Sequence, residues 1–532
     1  MRTRSKYRRL PPGLKPSMAV LPTTMLRIGP AKRPARDKKG MALVRSRVSA
    51  APERPVGGLR VWRLGFSLVL SAALVGCGGP SKHPPAVSRA VSQYIGAIVS
   101  PEPLAGEVAQ HVLAVGGDAA DAAVALGFAL AVALPSRAGL GGGGACLAYE
   151  PAVKGPGHGR PEAILFLPAA PSGGPAGDRP AAVPMLVRGL YLLHARYGRL
   201  PIQQLVGEAQ KMAELGIPVS DALARDLAVV AGPLFADPAA RAIFAGPSGA
   251  PLAAGQSLVQ PELAATLSEL RLDGVGDFYD GPLARRLADA ALAAGGGLTE
   301  QDFARAIPSL GTPIVVPAGS SRVAFLPPPA DGGLAAAAAF TDLWRNPQAL
   351  AGAAERALAV AARWRAGGVS DTALLAAKDL PPAALPPLPA STVFAALDAA
   401  GGAVACAVTM NNLFGTGRVA PGTGMVLAAA PSTVPPPLLS AAIAWNNNIH
   451  AFRAAVAGSG QNQAALAVAV GMANTLRSKT PMAEPVPAPG VAQVIACSRY
   501  LPGDAASCGA ATDPRAQGFS FSGTWAQAAA PR

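Results

Sequence analysis

Two common catalytic devices are missing from this 532-residue chain. No Gly-x-Ser-x-Gly occurs anywhere in it, which excludes a serine hydrolase built on a nucleophile elbow. No Cys-x-x-Cys occurs either, and His83, His111, His158, His194 and His450 fall at no ligand spacing. No metal site and no cofactor is therefore expected. Charge is sparse at 14% of residues, while half of all residues are hydrophobic. A well-buried core follows, over a length that suits two or more domains or one large layered one.

What charge there is lies at one end. Residues 1–63 hold 17 of the 46 Lys and Arg and two of the 31 acids, which leaves 29 of each sign in the remainder. A neutral body offers no basic face for phosphates, so no nucleic-acid partner is expected. The basic stretch runs into Arg60, Arg63 and then "LGFSLVLSAALVGC", Leu64 to Cys77. That run is too short for a membrane-spanning helix and has the length of a signal-peptide apolar region. "LVGC" resembles a lipobox, in which the cysteine, here Cys77, is lipidated and becomes the first residue. The expected partner is then a membrane, reached through a lipid anchor, with the body exported and facing the periplasm.

Glycines crowd one short stretch, "RAGLGGGGACLAYE" at 137–150, and form a literal G-x-G-x-x-G. A dinucleotide loop must leave a strand and open a helix. The order here is reversed: Asp118 to Leu134 reads as an Ala-rich helix stopped by Pro135, and Ala145 to Tyr149 as a strand. The glycines are read as a tight helix-to-strand turn that needs positive φ and close backbone approach.

Residues 89–134 read as helical, Ala163 to Phe166 as a strand, and Val183 to Ala294 as mainly helical. "TPIVVPAGSSRVAFLPPP" gives two strands about a turn, and a Pro-rich linker, "DLPPAALPPLPA", covers Asp379 to Ala390. Immediately after it "STVFAALDAAGGAVACAVT" reads as a hairpin of buried strands turning at Ala399 to Gly402. A buried strand that opens with Ser-Thr straight after a linker is odd unless the chain is cut there and the new terminus is tucked inside. Cys146 and Cys406 lie in apolar strand-like runs and read as buried free thiols. Cys497 and Cys508 sit in a Pro/Gly-rich tail and are candidates for a small closed loop in an oxidising compartment.

From about Gly116 to Leu427 the order of motifs resembles the gamma-glutamyltransferase (gamma-glutamyl transpeptidase) family of N-terminal nucleophile hydrolases. "GGDAADAAVA" with "LPSRAGLGGGG", "GVGDFYDGPLARRLADAALAAGGGLTEQDFA", "FLPPPADGG" and "VTMNNLFGTGRVAPGTGMVL" carry the resemblance. It implies an α+β fold, an αββα sandwich made as one precursor that cuts itself into large and small subunits. The family's nucleophile position falls on Ser391, whose freed α-amine would act as base for its own hydroxyl. Thr409 matches the threonine that hydrogen-bonds the nucleophile, and Asn411, Ser440, Gln461 and Asn462 fall on substrate-binding positions. The family's Arg for the substrate α-carboxylate falls on Leu167, and its acidic partner for the α-amine falls within "AAAPSTV", where no acid occurs.

The expected organisation is a leader over 1–76, a large-subunit region over 77–390 and a small-subunit region over 391–532. The expected function is a self-cleaving amidohydrolase or acyltransferase acting on a gamma-glutamyl or related acyl amide such as glutathione. Its partners are then a small amide or peptide substrate and the two fragments of one chain. The alternative is a catalytically degenerate relative that keeps the fold as a binding or structural lipoprotein. Lipidation at Cys77 is testable directly: mass spectrometry of membrane-fraction protein finds no peptide from residues 1–76, and a soluble product retaining them contradicts it.

Overall fold

The computed structural model describes residues 93–386 and 391–524; Cys77, the leader and Ala390 lie outside the described residues. Two antiparallel sheets form the centre. Their strands are β1 (Tyr94–Ser100), β2 (Gly143–Tyr149), β3 (Glu162–Phe166), β4 (Ser309–Gly311), β5 (Ile314–Ala318), β6 (Ser321–Phe325) and β7 (Ser391–Asp398). Then come β8 (Ala403–Thr409), β9 (Ser440–Asn446), β10 (Ala451–Ser459), β11 (Val491–Leu501), β12 (Cys508–Thr512) and β13 (Phe519–Thr524). The first sheet runs β13-β1-β7-β8-β2-β3-β4 and the second β12-β11-β10-β9-β6-β5.

The layers follow from strand alternation. In β7, Val393, Ala395 and Leu397 meet Ala441, Ile443, Ala455 and Ala457 of the second sheet. Phe394 and Ala396, between them, face the other way, into a core built with α1 (Pro103–Ala114), α2 (Ala119–Ala133), α3 (Leu186–Tyr197) and α4 (Ile202–Leu215). Ala442, Ala444, Ala454 and Val456 of the second sheet face α5 (Gly332–Arg345) and α6 (Ala464–Ser478). The result is the expected helix–sheet–sheet–helix stack, an α+β fold of N-terminal nucleophile hydrolase type.

α2 shows why one sequence segment becomes a central helix. Asp118 and Asp121 form a reciprocal capping box at its start, and all 15 of its residues are buried. Its alanines let it lie close to both β7 and β8.

Some expectations change, and the one for Cys497 and Cys508 is met. The stretch read as helical from residue 89 contains β1, whose Ile98 and Val99 pair with β13 on one side and β7 on the other; its Tyr, Ile and Val side chains suit a strand paired on both sides. The tail around Cys497 and Cys508 is ordered sheet, and its last strand returns beside β1. Cys497 and Cys508 are bonded to each other across β11 and β12, in register. Cys146 and Cys406 are not free thiols. They oppose each other directly in β2 and β8 with Cα atoms 4.1 Å apart and form a disulfide, because antiparallel register puts the two side chains on one face at bridging distance.

The glycine turn also differs from its reading. None of Gly139, Gly141, Gly142, Gly143 or Gly144 has positive φ. Their role is close approach alone: a Cβ on Gly141 would stand 2.2 Å from Val426 O, and one on Gly142 2.4 Å from Thr409 O. Neither backbone atom is free to retreat. Gly141→Ala is therefore expected to lower unfolding free energy by about 2–3 kcal/mol in urea titration. Gly352→Ala, at an open helical position, is expected to be neutral or up to about 1 kcal/mol stabilising.

Candidate active site

The first residue of β7 is Ser391, 3% exposed. It stands directly opposite Thr409, the last residue of β8, and Thr409 in turn stands opposite Gly143, the first residue of β2. Leu167 follows β3 on the far side of Gly143, where a Cβ on that glycine would lie 2.9 Å from the Leu167 carbonyl carbon. One row thus crosses the end of the sheet: Ser391, Thr409, Gly143, Leu167.

Alternation fixes which hydroxyl belongs to this row. Ser391 shares a face with Val393 and Ala395, and Thr409 with Ala405 and Ala407, so both point into the layer between the sheets. Thr392 pairs with Val408 on the opposite face, towards the helices. The pairing separates Ser391 from its neighbour as the side chain that Thr409 can reach, since directly opposed Cβ atoms stand about 5 Å apart.

Thr409 is held from behind. Its Oγ1 accepts a hydrogen bond from the backbone N–H of Asn411 at 2.8 Å. Asn411, at φ 60°, turns the chain out of the strand and donates through Nδ2 to Ala429 O at 2.9 Å. Asparagine is among the side chains that tolerate this left-handed conformation. The segment 428–430 is itself tied down, with Ala182 N–H donating to Ala428 O at 2.8 Å and Ala430 N–H to Pro180 O at 3.0 Å.

The other predicted side chains divide. Gln461 and Asn462 sit in the turn after β10, and Asn462 Nδ2 donates to Leu385 O at 2.6 Å. This bond places the turn against the chain six residues before Ser391; the linker is anchored there, with Leu385 buried. Ser440 does not join the row. It pairs with Gly458, whose Cβ position abuts Ala464 O and Val468 of α6, so Ser440 faces the helical layer with Ala442 and Ala444. Its Oγ is fully buried with no hydrogen-bond partner. The reading of Ser440 as a side-chain contact to substrate is corrected by strand parity.

Around the row the neighbours are apolar: Val393, Ala407, Ala145 and Leu439. Titrating acids gather instead at the other end of the hairpin, about 23 Å along β7. There burial pushes the Asp398 carboxyl up, against the pull of backbone N–H donors from Ala119 and Gly402, and burial lifts Asp118 to about 7. The sequence reading passes over Asp398, which closes the β7–β8 turn by accepting from Ala400 and Gly402 N–H at 2.8 and 2.9 Å; an Asp followed by a glycine pair at a hairpin is the available signal.

A family model, gamma-glutamyltranspeptidase, matches residues 105–343. The glutathione hydrolase proenzyme of Bacillus subtilis (strain 168) is 31% identical over 298 residues, 52% of this chain and 50% of that protein. That stretch of the chain is similar to the gamma-glutamyltranspeptidase family. The acylase ACY 1 proenzyme of Pseudomonas sp. (strain SE83) is 32% identical over 262 residues, 45% of this chain and 46% of that one. The chain spans about half the length of the curated relatives it matches. In fold it is similar to a cephalosporin acylase from Bacillus halodurans, at 20% identity and TM-score 0.66, covering 84% of this chain and 99% of that one.

The Thr409 arrangement is testable by stability. Thr409→Val leaves the buried Asn411 N–H without its acceptor and is expected to lower unfolding free energy by about 1–3 kcal/mol. Thr409→Ser, which restores the oxygen, is expected to recover most of that loss in the same denaturation assay.

Proposed function

We propose that this chain is a self-cleaving amidohydrolase, exported as a lipoprotein, whose nucleophile is Ser391. The observation that carries the reading is the direct pairing of Ser391 with Thr409 on the inter-sheet face. Ser391 Oγ attacks the carbonyl of Ala390, the peptide C–N bond breaks, and the acyl group passes to oxygen as an ester. Water opens the ester, freeing the Ala390 carboxylate and the Ser391 α-amine. That amine then takes the proton from its own hydroxyl as Oγ attacks a substrate amide, and returns it to the leaving amine. The acyl-serine ester finally passes its acyl group to water or to an acceptor amine. Burial depresses an amine's pKa, which favours the neutral, base-competent form of an α-amine freed at this buried residue.

The substrate is an amide of a gamma-glutamyl or related acyl group, and the side chains favour the related one. Leu167 occupies the row where a carboxylate anchor is expected, and Ala428, Ala429 and Ala430 bring no acid. An α-carboxylate and α-ammonium buried against these groups would lack partners, at a penalty of several kcal/mol. A neutral, apolar acyl chain has no such penalty, and the likeness to a named acylase supports it. Two disulfides among the described residues support an oxidising compartment.

The test is a reducing denaturing gel and an anilide assay. A chain running from Cys77 and cut before Ser391 gives fragments of 314 and 142 residues, about 31 and 14 kDa. Ser391→Ala is expected to leave one band near 46 kDa. Apolar acyl anilides are expected to exceed gamma-glutamyl anilide in kcat/KM by about 100-fold. A wild type that is never cut and hydrolyses neither favours the degenerate binding lipoprotein. Ordinary low-KM turnover of gamma-glutamyl anilide shows that other residues hold the head group.

A further inference from the structure

The disulfide between Cys146 and Cys406 bridges 260 residues, and the proposed cut before Ser391 falls between its two ends. We infer that this bond joins the large and small fragments covalently, so that the mature protein is one disulfide-linked molecule and not a pair held by packing alone. The inference rests on the self-cleavage proposed above. Cys146 lies mid-way along β2, which belongs to the large fragment, and Cys406 lies mid-way along β8, which belongs to the small one. The two are directly opposed in register, and both are fully buried beneath α2. The second disulfide, Cys497–Cys508, lies wholly within the small fragment and links nothing across the cut.

The bond forms when the two thiols lose two protons and two electrons to an external disulfide, which is reduced to two thiols. Burial of both sulfur atoms under α2 then keeps reductants in solution away from it. The bond also acts on the site. Cys406–Cys146 is three residues from Thr409–Gly143 on the same two strands, so it pins the register that lines up the row; a one-residue slip would turn Thr409 to the helical face.

The protein is purified with free thiols alkylated at lysis, then split between reducing and non-reducing denaturing gels. A digest made without reductant is searched for a linked peptide. The expected result is a single band near 46 kDa without reductant, bands near 31 and 14 kDa with it, and a peptide joining Cys146 to Cys406. The double variant Cys146→Ala/Cys406→Ala is expected to give both fragments without reductant; should it not fold, the wild-type digest still decides. Two bands without reductant, with alkyl groups on Cys146 and Cys406, overturn the inference and leave the self-cleavage standing. One band under both conditions, with the linked peptide present, overturns the tether for lack of a cut and counts against the self-cleavage instead.

Discussion

The site depends on the register between two strands. Ser391 and Thr409 have nothing in common in sequence beyond their positions at the two free ends of one hairpin, and a shift of one residue would send either hydroxyl to the opposite face. The hairpin is fixed far from the row it serves. Asp398 accepts from Ala400 and Gly402 N–H inside the turn and from Ala119 N–H at 3.1 Å, the first residue of α2. The carboxylate therefore ties the turn to the helix that covers both strands. On the other side of β8 the Cys146–Cys406 bond and the glycine run hold β2 in step. Gly142 completes the frame, with its carbonyl accepting from Met185 and Leu186 N–H at 2.8 and 2.9 Å and Thr409 O filling the place a Cβ would take.

The two regions on either side of Ser391 are interlaced, not adjacent. β1 lies between β13 and β7, and β6 borders β9, so each sheet contains strands from before and after the proposed cut. Neither region can form its sheet alone, because each would expose unpaired strand edges and half of an apolar layer. The sheet must close before Ser391 meets Thr409, and in this arrangement folding precedes chemistry. Opening one peptide bond afterwards removes no sheet pairing.

Much of this was legible in the sequence where a local rule spoke. The Ala-rich run with its Asp-x-x-Asp start, the hairpin at 391–409 and the linker before it each carry their own punctuation, and the order of motifs pointed to the αββα stack. The rest was decided by partners remote in the chain. β1 is a strand flanked by two others, and the Tyr, Ile and Val of YIGAIVS are a local signal that the helical reading passes over. Cys146 and Cys406 looked like small apolar residues because their pairing depends on a register set 260 residues apart. Ser440 sat at a plausible distance in sequence, yet its face depends on the parity of β9. The glycines at 141–144 read as a turn needing positive φ and close backbone approach, and only the approach holds, to the Val426, Thr409, Phe166 and Ala407 carbonyls.

The electrostatics of the row are those of an apolar layer. At the far end of the strands, Asp398, whose carboxyl burial pushes up, closes the hairpin turn, and Asp118, lifted likewise, caps α2. An α-amine freed at Ser391 would be the base of the row, with Thr409 as its polar neighbour. The account stands or falls on whether that amine exists. N-terminal mass mapping of the small fragment from wild-type protein tests this most directly. The account predicts a free, unblocked amine on Ser391 as the first residue; a fragment beginning at Thr392 or elsewhere in the hairpin, or an intact peptide running across residues 390 and 391, contradicts it.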